Sequence, residues 1–155
     1  MTAKINLPTQ YLYERDYSLW LSTTLEQLRD GKFDELDLNN LMEEIEDMGR
    51  SVKHALESYL ARLFEHLLKI TYWESERERC QRGWRKEIRN FRFQILKLLK
   101  ESPSLKPYLK EIFEEYYLFA RLSFIDETGI DDIPLHPMGS PEQVLDFEWF
   151  PLELE

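Results

Sequence analysis

The chain has 155 residues and a formal net charge of −10, with 43% hydrophobic, 14% aromatic and 32% charged side chains. That length and apolar content support a core without disulfide or metal staples, and only five glycines among so many charges favour helix over sheet. Cys80 stands alone, so no intramolecular disulfide can form, and no stretch approaches the roughly 18 apolar residues of a membrane span or resembles a signal peptide, so a cytoplasmic protein is expected.

The first predicted helix runs from about Asp16 to Asp30. Tyr17, Trp20, Leu21, Thr24, Leu25 and Leu28 give it the three-four spacing of one buried face, and Gly31 supplies a stop. Asp37 or Asn39 can cap a long second helix with apolar positions at Leu41, Ile45, Met48, Val52, Leu56, Tyr59, Leu63, Leu67 and Ile70. Gly49 is a candidate bend, because glycine weakens a helix by about 1 kcal/mol relative to alanine.

A polar link, Glu74–Arg82, leads to a third helix from about Gly83 to Lys100, with Trp84, Ile88, Phe91, Ile95, Leu98 and Leu99 on one face. Pro103 and Pro107 bracket the next turn, and Ser104 can cap a fourth helix, Leu105 to Glu127, that ends at Thr128-Gly129. The proline-containing remainder cannot be one long helix, and Phe147, Trp149 and Phe150 point to a docked tail. The expectation is all-α: one domain over 1–155, an antiparallel four-helix bundle at about 12–128 with an irregular acidic tail over 129–155 packed on it.

Charge is unevenly spread. Residues 1–50 carry −6, residues 51–110 carry +7 and residues 111–155 carry −11. Neighbouring helices can pair such charges internally, or the surface can be polarised toward an anion or a partner.

Several ordered pieces carry a likeness to a known family: Tyr13-Glu14-x-Asp16 with Trp20, then Asn40-Leu41-x-Glu43-Glu44-Ile45-Glu46-x-Met48-Gly49-Arg50, then His66-Leu67-Leu68-Lys69, Trp84 with Ile88 and Arg92, and Ser102-Pro103-Ser104-Leu105. Together they resemble domain of unknown function family 29, small and largely cyanobacterial helical proteins. The resemblance implies an all-helical, cytoplasmic bacterial protein, and it brings no activity, substrate or catalytic residue. Ile70 departs from it, because an aromatic is expected directly after the lysine, as do Thr71 and Trp73, where glutamines are common.

At about 100° per residue, Glu44, Arg62, His66 and Lys69 fall along one edge of the second helix, beside its apolar stripe. Asp16 borders the buried face of the first. Asp16, Glu44 and His66 could therefore form a mononuclear metal or acid–base site, with Lys69 or Arg62 steadying an anionic substrate. The bland reading is an interior hydrogen-bonded histidine and a salt-bridged glutamate.

Two other metal templates fail on spacing. Di-iron bundles need Glu-x-x-His, but Leu63 and Ser51 stand three before His66 and His54. The paired-carboxylate pattern of bundle-type nucleotide pyrophosphatases is met only in its first half, by Glu43-Glu44-Ile45-Glu46-Asp47. No cofactor is strongly implied, and Cys80 has no histidine near it in sequence.

The third helix offers a further alternative. Arg82, Lys86 and Arg89 lie opposite its core face, with Arg85 and Arg92 on the flank; Arg85, Arg89 and Arg92 are candidate anion- or nucleic-acid-binding residues, which the acidic tail could cover. The leading functional reading is a non-catalytic interaction or regulatory module that self-associates through aromatic-rich helix faces, with no membrane partner. The alternatives are the small enzyme and the anion binder.

Overall fold

The computed structural model describes residues 8–151. It contains helices α1 (Thr9–Arg15), α2 (Tyr17–Arg29), α3 (Leu38–Tyr72), α4 (Glu74–Glu101), α5 (Leu105–Thr128) and α6 (Pro141–Leu145), a 3-10 turn at Phe33–Glu35, and no strand among the described residues. The fold is all-α, as the composition and periodicity indicate. The chain divides into two compact units, Met1–Ser51 and Val52–Glu155.

In the first unit, Asp16 leaves helical geometry (φ −150°, ψ 84°) and separates α1 from α2. Its carboxylate accepts the backbone N–H of Leu19 at 3.0 Å, which makes it the N-cap of α2. Gly31, at φ 70°, ends that helix. The buried face of α2 is Trp20, Thr24 and Gln27, whereas the predicted face also held Tyr17, Leu21, Leu25 and Leu28, all of which are exposed. The correction has a local cause: α2 packs on α1 through the Trp20 side, where Gln27 Nε2 donates to Thr9 Oγ1 at 2.9 Å.

Helix α3 is 35 residues long and runs through Gly49 without interruption. Its buried residues begin at Leu56. In the second unit, Leu60, Phe64, Leu67 and Leu68 of α3 share one core with Ile88, Phe91 and Ile95 of α4 and with Ile112, Tyr117 and Phe124 of α5. Phe64 makes edge-on contacts with Phe113 and Tyr117, with centroids 5.0 and 5.3 Å apart.

Helix α4 begins at Glu74, nine residues before the predicted start, so the presumed link is helical. The segment lacks an apolar stripe, but it has no glycine or proline before Gly83, and Glu74 and Glu76 suit the positive end of the helix dipole. Only Trp73 separates α3 from α4. There Arg77 satisfies two of the last carbonyls of α3, donating to Ile70 O at 2.8 Å and Thr71 O at 2.6 Å.

The segment after α5 is held to its own unit by contacts the sequence does not display. A non-helical segment has carbonyls that need donors, and three side chains supply them. Arg92 is fully buried and donates to Val144 O and Trp149 O, both at 2.7 Å, and to Phe147 O at 3.4 Å. Tyr117 reaches Pro134 O at 2.6 Å, and Arg121 reaches Ile133 O at 3.1 Å. Phe150 lies against both Arg85 and Arg92, 4.3 and 5.1 Å from the guanidinium carbons.

Candidate functional site

The carboxylates and histidines singled out by spacing fall into separate local networks. In the first unit, Glu44 accepts the hydroxyls of Tyr13 and Tyr17, each at 2.6 Å. Both phenols have their pKa raised, chiefly because the hydrogen bond to Glu44 holds the proton in place. The two rings pack on Trp20, Tyr13 edge-on with centroids 5.0 Å apart and Tyr17 stacked at 6.0 Å. Trp20 is fully buried, and its Nε1 donates to Asp37 at 3.2 Å. Asp37 also accepts from Asn40 Nδ2 at 2.7 Å, beside the start of α3. Asp16 is occupied as the cap of α2.

His66 belongs to the second unit, 22 positions beyond Glu44 on α3. Its Nδ1 lies 2.8 Å from the Arg62 carbonyl, an arrangement that places the proton on Nδ1, and its ring tilts against Phe91. Burial lowers the pKa of His66, against the hydrogen bond to Arg62, which raises it. Lys69 pairs with Glu127 at 3.2 Å. Asp16, Glu44 and His66 are therefore not brought together, and among the described residues no three His, Cys, Asp or Glu side chains converge on a point that could hold a metal ion.

A second carboxylate cluster escaped the sequence reading. Glu57 accepts from Tyr108 and lies 3.0 Å from His54 Nδ1. Burial would raise its pKa, but hydrogen bonds from Tyr108, His54 and Tyr116 outweigh it and lower the value. Tyr108 is pushed up to about 12 by the same bond. Fifty-one residues separate Glu57 from Tyr108, so no local spacing could have announced the pair.

Of the three basic candidates on α4, Arg89 is exposed, Arg85 is exposed and rests on Phe150, and Arg92 spends its donors on tail carbonyls. Burial pulls the Arg92 pKa down to about 10, opposed by the nearby Asp146. The guanidinium thus stays cationic at neutral pH while fully shielded from solvent.

A family model described as "Domain of unknown function DUF29" matches residues 12–150. The chain belongs to the DUF29 family. No curated protein and no solved structure matches it. The DUF29 match starts beside Tyr13 and ends at Phe150, the ring that covers Arg85 and Arg92, so the docked tail is part of the family domain. Of the residues that carry the family likeness in the first fifty, Tyr13 and Glu44 join α1 to α3, Trp20 joins α2 to Asp37 just before α3, and Asp16 and Asn40 make local contacts at the starts of α2 and α3. That gives this part of the DUF29 pattern a structural reason, and the family description assigns no activity. No described helix is long and apolar enough to cross a membrane.

Proposed function

We propose that this protein is a non-catalytic helical interaction module that self-associates through the apolar face of its first unit. One observation carries the reading. Among the described residues of that unit, Trp20 is the only large apolar side chain that is buried. On α3, Leu38, Met42, Ile45 and Met48 are each more than half exposed. At 100° per residue they fall within an arc of about 120°, the width of a core-facing stripe. The same angular positions on the second half of α3, Leu56, Leu63 and Leu67, are fully buried.

Those four side chains present on the order of 500 Å² of apolar surface, toward the upper end of the largest patch on an ordinary monomer and close to the apolar share of a standard interface of about 800 Å² per partner. A second copy fits this face because a heptad-like stripe is self-complementary and pairs about a two-fold axis. Charge does not oppose it. Glu43, Asp47 and Arg50 lie on the far side of α3, where Arg50 pairs with Asp47 and sits 3.9 Å from Glu46, while Glu44 is held by two tyrosines.

Hydrogen exchange at several protein concentrations tests the reading. Amides over 38–51 should become more protected as concentration rises, and Ile45→Glu with Met48→Glu should abolish that change. Protection independent of concentration would rule out self-association through this face.

A further inference from the structure

The second unit carries a groove that the self-association reading does not use. It lies between the end of α4, the start of α5 and α6, is open to solvent with a volume of about 320 Å³, and is floored by Leu96 and by the outer edges of the core residues Leu99, Leu109 and Leu145. A neighbouring cleft of about 480 Å³ shares Lys110, Pro141 and Glu142 with it. A concave apolar floor of this size with a few polar groups at the rim has the anatomy of a small-ligand site.

Its rims carry opposite charge. Lys106 and Lys110, one helical turn apart on α5, form the basic rim, while Glu142 and Asp146, at the same spacing beside α6, form the acidic one. Among the described residues neither lysine side chain makes an ion pair or hydrogen bond, so no direct contact joins the two rims across the groove. Asp146 Oδ1 accepts the Glu148 N–H at 2.9 Å, which fixes its carboxylate and leaves lone pairs for a ligand.

The acidic rim is held in place before any ligand arrives. Ser140 and Gln143 form a reciprocal capping box, with Pro141 in the first turn. Val144, fully buried, gives its carbonyl to Arg92. The basic rim stands on a 24-residue helix. Both walls therefore rest on ordered elements, which limits the ordering cost of binding.

We propose that this groove binds an apolar zwitterion, a free apolar amino acid or a short apolar peptide. Its carboxylate lies toward Lys106 and Lys110, its ammonium toward Glu142 and Asp146, and its side chain over the leucine floor. A simple aliphatic acid would leave the acidic rim unanswered, and an aliphatic amine the basic rim.

Methyl NMR titration of the full chain tests this, following Leu96, Leu99, Leu109 and Leu145. L-leucine or L-leucyl-L-leucine should shift these methyls saturably, and the tighter of the two identifies the source as free amino acid or peptide. 4-Methylpentanoate and isopentylamine, each lacking one charge, should bind at least about tenfold more weakly. Lys110→Glu should weaken binding by a similar factor, while Lys97→Glu, outside the groove, should leave it unchanged. The assignment is overturned if neither zwitterion gives a saturable shift, if 4-methylpentanoate binds as tightly as leucine, or if Lys110→Glu binds like the parent.

Discussion

Replacing Arg92 by alanine removes the donors of three tail carbonyls at once. Two of those bonds are 2.7 Å long and the third is 3.4 Å, so two strong charge-assisted contacts are at stake. Each contributes about 1.5–3 kcal/mol when the donor is charged, and the buried stem adds packing. Against that, a released tail regains chain entropy and rehydrates its carbonyls. The net loss should therefore be near the lower end of the pair, about 3 kcal/mol, a large share of the ~5–15 kcal/mol that holds a domain together. Urea unfolding measures the loss, and hydrogen exchange at 144–150 locates it. Arg92→Lys keeps the charge without the planar fork and should recover only part of the stability. An Arg92→Ala protein within about 0.5 kcal/mol of the parent, with unchanged exchange over the tail, would refute the clasp.

Other expectations can be checked independently. A Cβ on Gly139 would stand 2.9 Å from Trp149 Cζ2 and 3.0 Å from Gln143 Oε1, so Gly139→Ala should cost about 1–3 kcal/mol and alter Trp149 emission; an unchanged melting curve would contradict that packing. Glu44→Gln should bring the Tyr13 and Tyr17 titrations, followed by ultraviolet absorbance, back toward the ordinary value of 10.0; no movement would mean that the two hydroxyls do not bond to Glu44. His66 has a folded pKa below its ordinary 6.5. Its contribution is fully present above 6.5 and is lost as pH falls from 6.5 toward the folded value, because the unfolded chain takes up the proton first. His66→Gln should flatten the stability profile in that window, and an identical profile would show that another group titrates there.

Periodicity made the long helices legible. The Leu56–Ile70 stripe and the Trp84, Ile88, Phe91 and Ile95 face read directly as core, and the Thr128-Gly129 stop lies where α5 ends. Helix α1 was not legible because seven residues give less than two full turns of pattern. The stretch Glu74–Arg82 was misread because its helicity comes from residue preference and not from an apolar face. Tyr17, Leu21 and Leu25 show the limit of the method: spacing identifies an apolar face but not whether anything in the same chain covers it.

The candidate site was less visible still. Glu44 was read as an edge residue of its stripe, and its partners lie 27 and 31 residues earlier. Arg92 was read as a flank residue beside the core face, whereas it is fully buried, and the carbonyls that occupy it are 52–57 residues away. Such pairings arise from tertiary packing and leave no trace in local spacing.

Sedimentation equilibrium on the full chain, run across a wide concentration range beside the Ile45→Glu, Met48→Glu double variant, bears most directly on self-association. The parent should approach twice the chain mass and the variant should remain at the single-chain mass with its helical circular dichroism intact. A parent that stays at the single-chain mass throughout, or a variant that associates as strongly, would contradict a dimer built on this face.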